Sequence, residues 1–311
     1  MGSSEASKES IKIKRLKIKK IMLKQTKINL LRIIMKQKMT EVAFCYDFDG
    51  TLAAGNMQEY GFMARLGVTP AEFWAKVDAM TQKYAADNNL MYMKCMLDEA
   101  KARGIAFRRE DFVACGRDVR LFNGINDWFD RINSYAAKKC IHISHYLISS
   151  GLEEIAEGTP IADKFCRIYA SSFIYNEYGE AVWPARLVNY TGKTQYLFRI
   201  NKGCLDVCDN RTINSKMSEE ERPVPFDHMV YFGDGDTDVP CMSMIKRLGG
   251  YCVSVFQPYQ RQAKQKAQQL ESDGRVNLAA PADYSSGKAI DRFIKRVIDK
   301  LSADAKLKKL F

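Results

Sequence analysis

Residues 45–52, CYDFDGTL, set two acids one residue apart directly after an apolar run. The run from Val42 to Tyr46 predicts a short buried strand, so Asp47 and Asp49 should leave its end together, where a loop begins. Two like charges held that close repel, which raises one of the two pKa values unless a cation lies between them. Asp and Gly also form ordinary turns, so this stretch alone leaves a structural role and a cation site both open.

The first forty residues carry nearly all of the chain's net charge. They hold twelve Lys and Arg against two Glu, which is +10 of the total of +11. The rest of the chain is close to neutral, so nucleic-acid binding by that part is not expected. Lys and Arg interrupt every apolar stretch of residues 1–40, which argues against a signal peptide and a membrane span. We predict disorder there, and the segment is either a basic arm for an acidic surface or a non-native extension ahead of Met35 or Met39.

The nine Cys are scattered singly, and no two of them form a CxxC pair. This usage is typical of small buried side chains in a reducing compartment, so we predict a cytoplasmic protein. The chain has three His, and His142 and His145 fall in a predicted strand. A zinc site is therefore not expected.

Apolar runs recur at intervals too long for hairpins, and helical patterns lie between most of them. This alternation predicts an α/β fold, a Rossmann-like parallel sheet with helices on both faces, whose ligands bind at the carboxyl ends of the strands. One exception is SSFIYNEYGEAVWPA, residues 171–185, where Asn176 and Gly179 predict a hairpin. The predicted strands are Val42–Tyr46, Ile141–Ile148, Arg167–Ile174, His228–Phe232 and Tyr251–Phe256.

The connection between the first two predicted strands is far longer than one crossover helix requires. Its residues 57–122 have the pattern of several amphipathic helices, one beginning at Thr69-Pro70 and another ending at Gly104. We interpret this segment as an inserted helical cap, with its aromatic and Met residues forming the core of the cap. Further along, we predict a polar surface loop over residues 201–226, a closing helix over residues 287–301 and a frayed tail.

Two later predicted strands are followed by groups that suit an anion. YLISSGLEEI, residues 146–155, places Ser149, Ser150 and Gly151 where a helix should begin, and hydroxyl and backbone N–H groups there can bind an anion. Such a Ser is also an ordinary helix cap. NYTGKTQYLFRINKG, residues 189–203, puts Lys193 at a helix start, where an ammonium is unfavourable unless an anion offsets it.

A second acidic group follows the fourth predicted strand. VYFGDGDTDVP, residues 230–240, crowds Asp234, Asp236 and Asp238 around two glycines. Acids this dense after a buried strand are hard to explain without a cation. Oxygen ligands without His or Cys favour Mg²⁺, which binds a substrate phosphate alongside one or two carboxylates.

The order of these features is more specific than any one of them. DFDGT at residues 47–51, a Ser after an apolar strand, Lys193 and GDGDTD at residues 233–238 together resemble the haloacid dehalogenase superfamily, in particular its phosphoserine-phosphatase-like members with a helical cap. The resemblance covers residues 41–300. It implies a catalytic core over residues 41–56 and 123–303, with the inserted cap over residues 57–122.

The resemblance also implies a role for each matching residue. Asp47 would be the nucleophile and Asp49 the general acid and base, while Ser149 and Lys193 would hold the phosphoryl group. Ser149 fits the family's second motif better than Ser150, because a small residue and then Gly follow it. The residues implied to hold Mg²⁺ are Asp47, Asp49, Asp234 and Asp238, of which Asp238 also supports the site. The residues predicted to bind the substrate are Thr51, Ser149, Ser150, Gly151 and Lys193.

The function implied is that of a Mg²⁺-dependent phosphatase, which hydrolyses a small phosphomonoester through an aspartyl-phosphate intermediate. The acid at position 49 favours ester hydrolysis or mutase chemistry, because dehalogenase and phosphonatase members lack it and the ion-pumping ATPases replace it. A phosphomutase or phosphotransferase of the same superfamily stays open, as does a regulatory phospho-acceptor without turnover. Another alternative is an interaction protein whose basic arm binds nucleic acid or an acidic membrane.

The substrate is not identified by the sequence. Arg65, Arg117 and Arg120 are candidates to meet an acidic substrate, although each is an ordinary surface residue by type. Phosphoserine-specific relatives carry a Glu soon after the first motif, and here the nearest acid, Glu59, lies at a different spacing. This argues against phosphoserine itself.

Overall fold

The structure is a computed structural model, and it describes residues 39–308 and residue 310. The strands are β1 Thr40–Tyr46, β2 Ile141–Leu152, β3 Arg167–Tyr175, β4 Ala181–Arg186, β5 Met229–Gly233, β6 Tyr251–Phe256 and β7 Leu278–Pro281. The helices are α1 Phe62–Leu66, α2 Pro70–Tyr84, α3 Asn88–Ala102, α4 Arg109–Cys115, α5 Ile125–Ala137, α6 Glu153–Glu157, α7 Thr194–Lys202, α8 Asn210–Asn214, α9 Val239–Arg247, α10 Arg261–Ser272 and α11 Ala289–Leu307.

The strands form one seven-stranded sheet in the order β4-β3-β2-β1-β5-β6-β7. The pairs β1–β5, β5–β6, β6–β7 and β2–β3 are parallel, and β3–β4 is antiparallel. Parallel neighbours need a crossover connection, and helices supply it along this chain. The predicted α/β fold with a mostly parallel sheet is therefore confirmed.

Strand β1 lies inside the sheet, and its side chains alternate between two hydrophobic cores. Phe44 and Tyr46 belong to one core, which includes residues of α5 and α11. Ala43 and Cys45 belong to the other, which includes residues of α7 and α9. Helices thus cover both faces of the sheet, and a strand buried on both faces has the continuous apolar sequence seen at residues 42–46.

The insertion between β1 and α5 is helical, as predicted. Its helix α2 begins at Pro70 after a capping box, in which Thr69 Oγ1 accepts from the Glu72 N–H at 3.3 Å and Glu72 Oε2 accepts from the Thr69 N–H at 3.0 Å. Such reciprocal bonds satisfy N–H groups that have no partner inside the helix. Residues from Glu41 onward form one compact unit, so a separate cap over residues 57–122 stays a prediction.

Most of the remaining element predictions are confirmed. The hairpin β3–β4 turns at Gly179, which has a φ of +76° and donates its N–H to the Asn176 carbonyl at 2.9 Å. Strand β7 was not predicted, and the closing helix continues to Leu307 instead of fraying after residue 301. The segment 201–226 contains the short helix α8 and is anchored by Arg199, whose guanidinium bonds to the carbonyls of residues 206, 207 and 209.

The prediction about residues 1–38 lies outside the described residues. Among the helices that the structure does describe, none combines the length and the apolar character needed to cross a membrane.

Candidate active site

The end of β1 positions the first two acids. The Asp47 N–H donates to the Phe232 carbonyl on β5 at 2.9 Å, which continues the strand pairing by one residue. The chain then turns at Phe48, whose carbonyl oxygen accepts from the N–H groups three to five residues further on. After this turn, Asp49 Oδ1 accepts the Met57 N–H at 2.8 Å, which ties the acidic loop to the start of the helical insertion.

Gly50 allows the two acidic loops to approach each other. Its φ is +72°, a conformation that other residues adopt only with strain, and a Cβ at this position would lie 2.2 Å from Asp234 Oδ2. Asp234 follows β5, the neighbour of β1 in the sheet. The glycine in DFDGT therefore brings the carboxylates after β1 and β5 to the same place.

Lys193 lies between two of the predicted acids and is fully buried. Its Nζ is 2.8 Å from Asp47 Oδ1 and 2.7 Å from Asp238 Oδ1. Burial lowers the pKa of Lys193, but the Asp238 and Asp47 carboxylates raise it further than burial lowers it. The side chain is therefore an ammonium at neutral pH, and the Tyr231 hydroxyl also donates to Asp238 Oδ1 at 2.8 Å.

Three carboxylates form a compact group around this ammonium. Asp47, Asp234 and Asp238 each have an oxygen within 4.8 Å of the others. Burial, together with the charge of Asp238, raises the pKa of Asp47 to about 6, although Lys193 lowers it. Burial and the charges of Asp47 and Asp238 also raise the pKa of Asp234. Three acids with one ammonium leave an excess of negative charge, and their hard oxygen atoms are the donors that Mg²⁺ prefers.

Asp49 is not part of that carboxylate group, although it lines the same cavity. Burial raises its pKa well above the usual value and the charge of Asp47 raises it further, while the bond from the Met57 N–H lowers it. Asp49 consequently keeps its proton to a higher pH than an exposed aspartic acid does. Its position and its proton suit an acid–base role better than a role as a metal ligand.

The structure separates the two serines that the sequence left as alternatives. Ser149 is fully buried, and its Oγ accepts the Gly151 N–H at 3.0 Å. Ser150 lines the cavity, and its buried Oγ has no hydrogen-bond partner among the described residues. Gly151 also lines the cavity. Thr51 is fully buried and does not line the cavity; its carbonyl accepts from the Tyr284 hydroxyl at 3.0 Å, and its Oγ1 has no hydrogen-bond partner among the described residues.

The predicted start of a helix at Ser149 is wrong by a few residues. Strand β2 continues to Leu152, and the pairing of β2 with β3 shifts between Ile148 and Leu152. An irregularity in the pairing changes which side chains face a given side of the sheet. Ser150 lies within this irregular stretch and lines the cavity.

The acids open into a cavity of about 480 Å³ between the sheet and the helical insertion. Asp47, Asp49 and Asp234 line it on the sheet side. The insertion contributes only uncharged side chains to it, namely Asn56, Gln58, Trp74, Asn88, Asn89 and Tyr92. The candidate arginines do not line this cavity, and Arg65 pairs with Asp111 at 3.0 Å.

Several site residues were missed at the sequence level. Tyr92 lies in the hydrophobic core and Trp74 packs against it, as predicted, but both also line the cavity, which the sequence does not indicate. The Tyr92 hydroxyl donates to the Ser150 carbonyl at 2.7 Å. Tyr231 was read only as part of an apolar strand. A hydroxyl-bearing residue within an otherwise apolar run was the available signal, because a buried Tyr hydroxyl usually needs a partner.

A comparison with known protein families identifies this arrangement. The family described as haloacid dehalogenase-like hydrolase matches residues 44–243, which contain all four motifs and most of the sheet. The chain belongs to the haloacid dehalogenase-like hydrolase family. The predicted resemblance is confirmed by this match.

Similar proteins align with more of the chain than the family match does. An uncharacterized protein of Borreliella burgdorferi is 26% identical over 289 residues, which cover 85% of this chain and 99% of the relative. Among solved structures, a haloacid dehalogenase family hydrolase from Salmonella enterica serovar Typhi has a TM-score of 0.51 at 12% identity, covering 74% of this chain and 67% of the other. A probable phosphoserine phosphatase from Vibrio cholerae has a TM-score of 0.52 at 11% identity, covering 86% of this chain and 67% of the other. At these identities the two structures show a shared fold.

Proposed function

We propose that this haloacid dehalogenase-like hydrolase is a Mg²⁺-dependent phosphatase, which hydrolyses a small phosphomonoester through an aspartyl phosphate on Asp47. The observation that carries the proposal is the position of the Asp47 carboxylate, which lines the cavity while Lys193 contacts its Oδ1 from the buried side at 2.8 Å. A carboxylate that is oriented by a buried cation and open to a cavity can act as a nucleophile.

The first half of the reaction joins the substrate phosphorus to Asp47. An oxygen of the Asp47 carboxylate attacks phosphorus while the bond from phosphorus to the leaving oxygen breaks. Asp49 lines the same cavity and has a raised pKa, so it can hold a proton and transfer it to that leaving oxygen. The products of this step are the aspartyl phosphate, the released alcohol and the Asp49 carboxylate.

The second half of the reaction restores the enzyme. The Asp49 carboxylate takes a proton from a water molecule as the water oxygen attacks the phosphorus of the intermediate. The bond between phosphorus and Asp47 then breaks, which releases inorganic phosphate. Asp49 is protonated again, and it is ready for the next leaving group.

Mg²⁺ fits the carboxylate group that the structure shows. Asp47, Asp234 and Asp238 would hold it, since their oxygens lie within 4.8 Å of one another. When bound, the ion supplies neutralisation of the charge on the transferring phosphoryl oxygens. Both Asp238 oxygens already accept hydrogen bonds, from Lys193, Tyr231 and the Gly235 N–H, so we expect Asp234 to contribute more to metal affinity than Asp238.

Ser150, rather than Ser149, is our candidate for the hydroxyl that binds the phosphate. Its Oγ is buried at the cavity and lacks a partner, whereas Ser149 Oγ already accepts the Gly151 N–H. A buried hydroxyl without a partner is unfavourable, and a phosphate oxygen would satisfy it. We expect Ser150→Ala to lower kcat/KM for a phosphoester by about tenfold or more, and Ser149→Ala to lower it less.

The test is phosphate release by the full chain from a panel of small phosphoesters, with and without Mg²⁺. We expect Asp47→Asn and Asp49→Asn to lose about a hundredfold or more in kcat. Asp236→Asn is the matched control, because this acid of the same loop is exposed and pairs with Lys266 at 2.9 Å. Covalent phosphate on Asp47 should accumulate in Asp49→Asn and be detectable by mass spectrometry.

Two outcomes would count against the phosphatase. Phosphate release that continues in Asp47→Asn would exclude Asp47 as the nucleophile. Phosphate release that continues in the presence of a chelator would exclude a requirement for the metal. Absence of release from every ester, by a protein shown to be folded and to bind Mg²⁺, would favour a mutase or a phospho-acceptor without turnover.

A further inference from the structure

We infer that the leaving group of the substrate is uncharged and carries several hydroxyl groups, as in the monophosphate of a sugar or a polyol. This inference rests on the proposed phosphatase function and concerns the part of the cavity beyond the phosphoryl group. It is drawn from the charge of the cavity wall, from the hydrogen-bonding groups on that wall and from two aromatic side chains.

The charge of the cavity argues against an anionic leaving group. Among the described residues that line it, the only ionisable acids or bases apart from the Tyr92 phenol are Asp47, Asp49 and Asp234, all of them acids. Lys193 is fully buried behind Asp47 and does not line the cavity. A carboxylate or a second phosphate on the leaving group would therefore lie near these acids without a cation on the insertion side to offset its charge.

Six of the residues that line the cavity carry amide side chains. Gln58, Asn56, Asn88 and Asn89 come from the insertion, and Gln257 and Gln260 follow β6. Each amide offers both N–H donors and a carbonyl acceptor. A hydroxyl group also donates and accepts, so a wall of amides suits a ligand with several hydroxyls better than one with a fixed charge.

Gln58 gives the most specific indication. Its side chain is 2% exposed and lines the cavity next to the acids, yet Oε1 has no donor among the described residues. A buried carbonyl oxygen without a donor is unfavourable. A hydroxyl of the leaving group would satisfy this oxygen, because Gln58 lines the same cavity as Asp49 and directly follows Met57, whose N–H bonds Asp49 Oδ1 at 2.8 Å.

The neighbouring amides and the indole are held in place by other bonds. Asn89 Nδ2 donates to the Val188 carbonyl at 3.2 Å, so its Oδ1 remains as an acceptor. The N–H groups of Asn56 and Trp74 both donate to Glu59 Oε1, at 2.7 and 2.8 Å. Glu59 is held by these two bonds and does not line the cavity. The acid that would best suit an amino group of the substrate is therefore not available to it.

Two aromatic rings complete the wall. Trp74 and Tyr92 lie with ring centroids 6.1 Å apart and an interplanar angle of 68°. Such rings give an apolar surface, against which the C–H groups of a sugar or polyol can pack while its hydroxyls meet the amides. Two rings near acids would also attract a quaternary ammonium, so the test includes leaving groups with a positive charge.

The test compares kcat/KM of the full chain for esters that share the phosphoryl group and differ in the leaving group. Glycerol phosphate and a hexose phosphate represent neutral polyols. Phosphoserine, phosphocholine, phosphoglycerate and a hexose bisphosphate represent a zwitterion, a cation and two anions, and p-nitrophenyl phosphate reports turnover without hydroxyls. We expect the better neutral polyol to exceed every charged leaving group by about tenfold or more in kcat/KM.

A variant of Gln58 adds a readout that a structural role alone would not move. In Gln58→Leu, we expect kcat/KM for the preferred polyol phosphate to fall by about tenfold more than that for p-nitrophenyl phosphate, mainly through KM. Gln82→Leu on α2 is the matched control, since Gln82 is exposed and does not line the cavity.

The outcomes separate this inference from the proposed function. Turnover of p-nitrophenyl phosphate with a preference for phosphoserine, phosphocholine or an anionic ester would overturn the inference and leave the phosphatase intact. Equal losses for all substrates in Gln58→Leu would also overturn it. Absence of turnover on p-nitrophenyl phosphate and on every other ester would reject the phosphatase, and this inference with it.

Discussion

Replacing Lys193 with Met should destabilise the protein far more than the loss of an ordinary lysine. The side chain is fully buried, and its ammonium lies 2.8 Å from Asp47 and 2.7 Å from Asp238. At an effective dielectric constant of about 20, each contact corresponds to roughly 6 kcal/mol of attraction. The desolvation of the ammonium offsets much of this, and in the variant a carboxylate can take up a proton. We therefore expect a net loss of about 3–5 kcal/mol.

The assay is urea unfolding of the full chain at about pH 7 in the presence of a chelator. Lys164→Met is the matched control, because Lys164 forms a surface pair with Asp130 at 3.0 Å and such pairs contribute about 0–1 kcal/mol. Asp238→Asn should partly compensate Lys193→Met, since the double variant lacks one of the two uncompensated carboxylates. We expect a coupling free energy of about 1–3 kcal/mol between these two changes.

The same variant should lose catalysis, because Lys193 orients the proposed nucleophile. We expect kcat for a phosphoester to fall by about 10²–10³ where the variant is still folded. The reasoning would be refuted if Lys193→Met were within about 1 kcal/mol of Lys164→Met in its free energy of unfolding. It would also be refuted if the effects of Lys193→Met and Asp238→Asn were simply additive.

Three further predictions concern single positions. Gly50→Ala should cost about 1–2 kcal/mol because of its φ of +72°, and it should raise the Mg²⁺ concentration for half-maximal activity because the new Cβ displaces the Asp234 carboxylate. Gly158→Ala should cost about 1–3 kcal/mol in urea unfolding, because its Cβ would lie 1.8 Å from the Val113 carbonyl. Burial lowers the pKa of His145 to about 3. Between that pH and about 6.5, the unfolded chain binds a proton at this residue that the folded chain does not, so the free energy of unfolding falls as the pH falls. The free energy of unfolding should therefore lose about 2 kcal/mol more between pH 7 and pH 5 in the parent than in His145→Gln, and equal losses would contradict this assignment.

Local sequence patterns were sufficient for most of the fold. Continuous apolar runs predicted the buried strands β1, β2, β3, β5 and β6, because a parallel strand buries both of its faces. Strand β7 escaped prediction because it has four residues, LAAP, with little apolar bulk and a final Pro. Its place at the edge of the sheet depends on pairing with β6, which lies outside any local window.

The acids of the site were predicted for a similar reason. Asp47 and Asp234 follow buried strands, and a charged residue at the end of an apolar run is visible in the sequence alone. The order of motifs then predicted the haloacid dehalogenase-like family, which the family match confirms. Ser149 and Ser150 could not be separated in this way, because side chains alternate along a strand and the irregular pairing of β2 with β3 between Ile148 and Leu152 is not visible in the sequence.

Residue types and short-range periodicity were therefore enough to predict the α/β fold, the acidic loops and the lysine that accompanies them. Which of these groups contact one another depends on the tertiary structure. Lys193 and Asp47 are 146 residues apart, and their contact depends on the packing of α7 against the face of the sheet that carries Ala43 and Cys45. The amide wall around Gln58 is likewise assembled from an inserted helical segment and from the residues after β6. Convergence of this kind comes from packing between distant segments, and no local pattern specifies it.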